Sequence, residues 1–370
     1  MIKGGWQLAG GHGSVDRTQA IADMTTFFDA GIRTFDCADI YIGVEEMIGT
    51  FIETLRRDRG SESADKVTVH TKLVPDLDSL SSIGATDIEG IIDRSLKRLR
   101  LDQLHLVQFY WWNLSIGRPY ETLECLKRLC EKGKIRHLGV NNWDVKQTAP
   151  FVEMGFDIVS TQVQYSLLDH RPANGLARWC AENDIKLLCY GSLAGGFLTE
   201  HWLDQPDPGF VFENRSLIKY RLIVDEFGGW DLFQTLLTTV KALADKHGVS
   251  MSAVAARYVL DQPQVGAVII GARYAHHLPQ TLSIFELSLD PDDYAARILP
   301  PTVLAQQAFG VQQTSAPTRL ATREPQLRSA QAARERAAAN LEAAQLSLSR
   351  TLISAPFGSL VQEENAAVGT

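Results

Sequence analysis

The chain has 370 residues, more than one hydrophobic core usually holds, and 45% are hydrophobic, so one large domain plus an appendage is expected. The formal charge is −8; residues 301–370 carry six Arg against five acids, so the negative excess lies earlier and argues against nucleic-acid binding. Cys37, Cys125, Cys130, Cys180 and Cys189 form no metal or C-x-x-C spacing, MIKGGWQLAGGHG has no apolar leader, and no apolar run reaches about 18 residues. Reduced thiols, a cytoplasmic location and no membrane span are therefore expected.

Short β-rich runs alternate with amphipathic helical stretches, the order of a parallel sheet with crossover helices. Strands are expected at Gly4–Leu8, Ile32–Asp36 and Val67–Thr71. A helix then begins where Thr86 and Glu89 have capping-box spacing, with Ile88, Ile91, Ile92, Leu96 and Leu99 on one face. Further strands follow at Leu104–Phe109, Ile135–Val140, Ile158–Gln162, Lys186–Tyr190 and Val268–Ile270. Gly31 and Gly133 stand where helices should end, each just ahead of a strand. Eight such units predict an α/β fold, a closed (β/α)8 TIM barrel. The doubly wound alternative needs a G-x-G-x-x-G that GGWQLAGGHG does not supply.

After Pro300 there is no Lys or Trp, and Leu327, Ala330, Arg334, Ala337, Leu341, Ala344 and Leu348 follow a 3,4 spacing broken only by Arg334. A coiled-coil-like helical extension is expected there, ended by Pro356 and followed by a short β segment. The chain thus divides into a barrel at 1–297, a linker at 298–318 and the extension at 319–370.

Barrel enzymes work at the C-terminal ends of their strands, where Asp36, Lys72, Asn141, Gln162 and Tyr190 converge. Singly, Asp36 reads as a helix cap, Lys72 as a solvated strand end and Tyr41 as a half-buried aromatic. Together they have acid chemistry, because an ammonium beside a phenol eases loss of its proton and a carboxylate holds the ammonium.

Here the motifs resemble the aldo-keto reductase family, in order from about Gly4 to Leu289. TFDCADIYIGVEEMIG is similar to the segment with the catalytic Asp and Tyr, and HTK to that with the catalytic Lys, which implies Asp36, Tyr41 and Lys72. The resemblance further implies NADP(H) as cofactor. LGVNNWD would place Asn141 and Asn142 on the nicotinamide carboxamide, STQVQYSLLD would add Gln162, and CYGSLAGGFLT would stack Tyr190 on the ring with Gly191, Ser192 and Leu193 following. IIGAR would bring Gly271 and Arg273 to the 2′-phosphate. The activity implied is reduction of a small-molecule carbonyl.

Three departures from the family accompany these matches. Tyr110 stands where a catalytic His is usual, Thr281 where an amide that contacts adenine is common, and Met1 lies almost on the first strand, so the N-terminal hairpin is expected to be missing. Tyr110 also motivates an alternative reading, a cofactor-binding regulatory subunit with little turnover. Trp6, Tyr110, Trp111, Trp112 and Trp143 are expected to line the substrate end, with two of the five serving ordinary packing; Trp6 also counts among the cofactor residues. An insertion from Thr199 to Trp230 suits a flap over the pyrophosphate, with Lys219 and Arg221 as partners or as members of a solvated charged loop. His276 and His277 lack a third ligand, so no metal is expected.

The tail REPQLRSAQAARERAAANLEAAQLSLSRTLISAPFGSLVQEENAAVGT resembles a fragment of an efflux-pump periplasmic adaptor, or membrane fusion protein. The usual APFDG-type turn reads APFGS, and the outgoing helix and other domains are missing. A fusion remnant without efflux activity is the preferred expectation. A helix for self-association is the rival, since a lone coiled-coil seam must pair, pack or fray.

Overall fold

A computed structural model describes residues 1–212 and 214–295. In chain order the first elements are β1 (Ile2–Gly4), α1 (Arg17–Asp29), β2 (Thr34–Asp36), α2 (Val44–Arg59), α3 (Ser61–Ala64), β3 (Thr68–Leu73) and α4 (Ala85–Leu99). The middle of the chain gives β4 (Leu104–Phe109), α5 (Pro119–Glu131), β5 (Ile135–Asn141), α6 (Val145–Glu153), β6 (Ile158–Gln164), α7 (Leu176–Glu182) and β7 (Lys186–Tyr190). The remainder forms α8 (Arg215–Phe227), α9 (Trp230–His247), α10 (Met251–Leu260), β8 (Val265–Gly271), α11 (Leu278–Glu286) and α12 (Pro291–Ala295). All eight strands are parallel and close into a barrel, with Ile2 of β1 paired to Ile269 of β8.

The main core lies between strands and helices. On α4, Ile88, Ile91, Ile92 and Leu99 are buried at helical spacing against that core. Alternate strand residues build a second, smaller cluster from Ile2, Leu106, Leu188, Ala267 and Ile269. Toward their C-terminal ends β2 to β7 carry polar side chains, Asp36, Lys72, Gln108, Asn141, Gln162 and Tyr190, which sets the site at that mouth.

Two local expectations are corrected. The first strand is Ile2–Gly4, not Gly4–Leu8; Trp6–Leu8 is a turn of 3-10 helix, begun where the Gly5 N–H donates to the Asp36 carbonyl at 2.8 Å. The cap of α4 is not the Thr86/Glu89 pair. The helix starts two residues earlier, and the Asp87 carboxylate accepts from the Gly84 N–H at 2.9 Å. Gly31 and Gly133 stand just past α1 and α5 with φ of 90° and 78°, as a left-handed helix exit requires. The expected extension at 319–370 lies outside the described residues. Among those described, no helix is long and apolar enough to cross a membrane.

Candidate active site

Asp36 ends β2 and Lys72 lies on the neighbouring β3, both almost fully buried. Lys72 Nζ donates to Asp36 Oδ1 at 2.6 Å and to the Cys37 carbonyl at 2.6 Å. It also stands 5.1 Å from the centroid of the Tyr41 ring. Burial works against the charge on Lys72, but Asp36 and Tyr41 outweigh it and hold the ammonium above its usual range. Burial also pushes the nearby Asp39 carboxyl up to about 7, although the Val74 and Ile40 N–H groups donate to it.

A line of amides continues from Asp36 across the barrel. Gln162 Nε2 donates to Asp36 Oδ2 at 2.7 Å, Asn141 Nδ2 donates to Gln162 Oε1 at 2.9 Å, and Gln108 Nε2 approaches Asp36 Oδ2 from the other side at 3.3 Å. Asn142 has φ of 60°, a left-handed conformation that breaks strand alternation after Asn141. Its Oδ1 accepts from the Tyr190 hydroxyl at 2.8 Å.

The remaining wall comes from β7, β8 and their loops. Gly191 needs its φ of 72°, and a Cβ there would lie 2.6 Å from the Tyr220 hydroxyl. At Gly271 a Cβ would collide with Gln7 Nε2, so only glycine lets that side chain sit against β8. Arg273 Nη1 donates to the His12 carbonyl at 2.7 Å and Nη2 to the Ser14 carbonyl, which ties β8 to the β1–α1 loop. Thr281 turns its hydroxyl back to the His277 carbonyl of its own helix start at 3.0 Å.

The insertion after β7 folds over this wall. Trp6 Nε1 donates to Ser216 Oγ at 3.0 Å and His12 Nε2 lies 2.9 Å from the same oxygen, so the first turn of α8 is tied to the β1–α1 loop. Lys219 Nζ lies 4.7 Å from the Tyr190 ring centroid. Arg221 does not serve the mouth as expected: it is 4% exposed and pairs with Asp207 and Asp225 inside the insertion.

Of the five aromatics expected at the substrate end, Tyr110, Trp111 and Trp143 are buried, and Trp6 and Trp112 are not. Trp111 and Trp143 are buried against Phe109, with ring centroids 5.5 and 5.3 Å away. Tyr110 meets Trp112 edge-on at 5.1 Å, and Trp6 meets Tyr41 at 5.1 Å.

The aldo/keto reductase family profile matches residues 1–297. The chain belongs to the aldo/keto reductase family. It is 28% identical over 260 residues to flagellar radial spoke protein 5 of Chlamydomonas reinhardtii, which covers 60% of this chain but about half, 49%, of that protein. It is 27% identical over 300 residues to the aldo-keto reductase YhdN of Bacillus subtilis, covering 78% of this chain and 86% of that one. Among solved structures, an aldo/keto reductase from Klebsiella pneumoniae in complex with NADP and acetate aligns with a TM-score of 0.59 at 22% identity. That alignment covers 83% of this chain and 91% of the other, and it speaks to the fold alone.

Within this aldo/keto reductase the sequence motifs located Asp36, Tyr41, Lys72, Asn141, Asn142, Gln162 and Tyr190 around one mouth. They missed Gln108, Gln7, His12 and Ser216. Gln108 was within reach of sequence reasoning, since it stands two residues before Tyr110 on a strand that alternates faces. Ser216 was not, because no local pattern shows that a residue 210 positions away meets Trp6.

Proposed function

We propose that this aldo/keto reductase is an NADP(H)-dependent carbonyl reductase that converts an aldehyde or ketone to an alcohol, with Tyr41 as general acid. The residues present fit the cofactor. Buried polar atoms without a partner, Asn141 Oδ1, Ser192 Oγ, Arg273 Nε, Gln7 Oε1 and His12 Nδ1, run along the mouth from β5 round to the β1–α1 segment, and such atoms are costly unless something bonds them. The related fold from Klebsiella pneumoniae, solved with NADP, is consistent with this reading.

Bound NADPH would supply the hydride. Asn141 and Gln162 would hold the carboxamide, Tyr190 the ring face, and Arg273 with Gly271, Ser192 and Thr281 the phosphate and adenine end. Tyr41 would give its hydroxyl proton to the carbonyl oxygen as that oxygen gains charge. Lys72, fixed by Asp36 beneath the phenol, would stabilise the phenolate left behind. Tyr110 would offer one hydrogen-bond donor where the family's His is absent. The apolar faces of Trp6 and Trp112 suit a substrate with a hydrophobic body.

The observation that carries the reading is the Asp36–Lys72–Tyr41 arrangement, a 2.6 Å buried ion pair under a phenol ring. NADPH oxidation over a panel of aldehydes and ketones tests it. Tyr41→Phe should lower kcat by about 10²- to 10⁴-fold and leave cofactor affinity nearly unchanged, because the ring remains. A variant that keeps more than about a tenth of wild-type kcat would assign the proton to another group, Tyr110 first. The buried, aromatic-packed Tyr110 favours the second reading, a cofactor-binding subunit of low turnover; no oxidation of NADPH with any carbonyl, despite tight binding, would establish it.

A further inference from the structure

The amides around Asp36 have a common direction. A carboxylate can only accept hydrogen bonds, so both amides that touch Asp36 Oδ2 must turn their NH2 groups toward it. Gln162 is then forced to turn Oε1 outward, where it accepts from Asn141 Nδ2, and Asn141 is left facing away with its carbonyl oxygen. Gln108 is oriented in the same way from the other side. The atoms left over agree: the two partnerless buried atoms among these three amides, Asn141 Oδ1 and Gln108 Oε1, are both acceptors.

We propose that Asp36, besides holding Lys72, is a positioning residue that sets the hydrogen-bond polarity of the Gln162–Asn141 arm, so that the site presents an acceptor to the amide NH2 of the nicotinamide ring. This rests on the cofactor reading above. It makes the carboxylate that supports the acid also decide which face of the carboxamide is recognised, and so links ring orientation to proton delivery through side chains of 6% exposure or less.

The test is binding, not turnover. NADP⁺ and its 3-acetylpyridine analogue, whose methyl ketone lacks the NH2, are titrated by protein fluorescence against wild type, Asp36→Asn and Gln162→Leu. Wild type should favour the carboxamide by roughly three- to tenfold, the size of one net hydrogen bond. Asp36→Asn can both donate and accept, so the arm loses its fixed direction and the preference should fall to about one. Gln162→Leu cuts the arm and should do the same while leaving the Asp36–Lys72 pair in place, which keeps the test available if Asp36→Asn folds poorly. An unchanged preference in the variants, or none in wild type, overturns the polarity role while cofactor binding stands. Failure of wild type to bind either dinucleotide overturns the cofactor reading, and this inference with it.

Discussion

Asp36 takes three donors onto one carboxylate in a place water hardly reaches, and each donor belongs to a different part of the site. Lys72 belongs to the acid, Gln162 to the amide arm and Gln108 to the barrel wall. Removing one partner of such a buried pair costs about 3–5 kcal/mol, so alanine at Asp36 or Lys72 would test folding before chemistry. Arg273 needs similar care, because two of its nitrogens already hold the β1–α1 loop carbonyls and Nε remains. Its proposed role at the 2′-phosphate predicts tighter binding of NADPH than of NADH, by about ten- to a hundredfold for a charge-assisted bond. In Arg273→Met that ratio should shrink, whereas damage to the loop alone would weaken both cofactors equally; fluorescence titration of the two separates these outcomes. At this scale the sequence was legible where chemistry sits at strand ends. It was only half so for Arg221: Asp225 stands four residues further along α8, but Asp207 lies across the insertion's own fold at no periodic spacing.

At the scale of elements, β1 is the least conventional strand. Lys3 points from it into the seam with α1, 3% exposed, its ammonium 5.4 Å from the Phe27 ring. Burial lowers its pKa to about 8, and the charge of Asp23 on α1 only partly opposes this. The unfolded chain keeps the ordinary lysine value of about 10.4. Between these values the unfolded state binds more protons, so this residue destabilises the fold fully below pH 8 and progressively less as pH rises toward 10. Wild-type stability should therefore rise relative to Lys3→Met over that window, by on the order of 1–3 kcal/mol, in denaturant melts at matched pH. Parallel curves for the two proteins would place the amine in solvent. A lysine in a three-residue strand also explains why sequence reading slid β1 onto GGWQL: the longer apolar run looked more like a strand, yet the Gly5 contact with Asp36 ends pairing there. The six- and seven-residue strands left no such choice, and their expected positions agree with those observed to within a few residues.

For the whole molecule, closure is the decisive property. With β1 paired to both β2 and β8, the sheet has no free edge, and every strand depends on two neighbours. All proposed site residues and all eight strands precede Leu289, so we propose that the barrel ends near residue 297 and closes without the tail. Deleting residues 301–370 should leave NADPH affinity and reductase activity essentially unchanged and, if anything, reduce self-association. Melting temperature, cofactor titration and light-scattering mass on the two lengths decide this. A truncated protein that melts more than about 4 °C lower, a loss of roughly 2–3 kcal/mol in a domain of this size, would mean that the tail packs on the barrel. Eight alternating units were enough to read closure from sequence, since an open sheet would have needed its own glycine motif.

The tie between Trp6 and Ser216 gives the protein a built-in optical probe. Trp6, at 44%, is the one tryptophan of the chain's seven that is strongly exposed, and its indole nitrogen is the atom bonded to α8. Quenching by a neutral solute such as acrylamide will be weighted toward that ring and, to a lesser degree, toward the half-buried Trp112, Trp179 and Trp202, while Trp111, Trp143 and Trp230 are shielded from the quencher. Any change in how α8 sits on the β1–α1 loop can thus be followed in unlabelled wild-type protein.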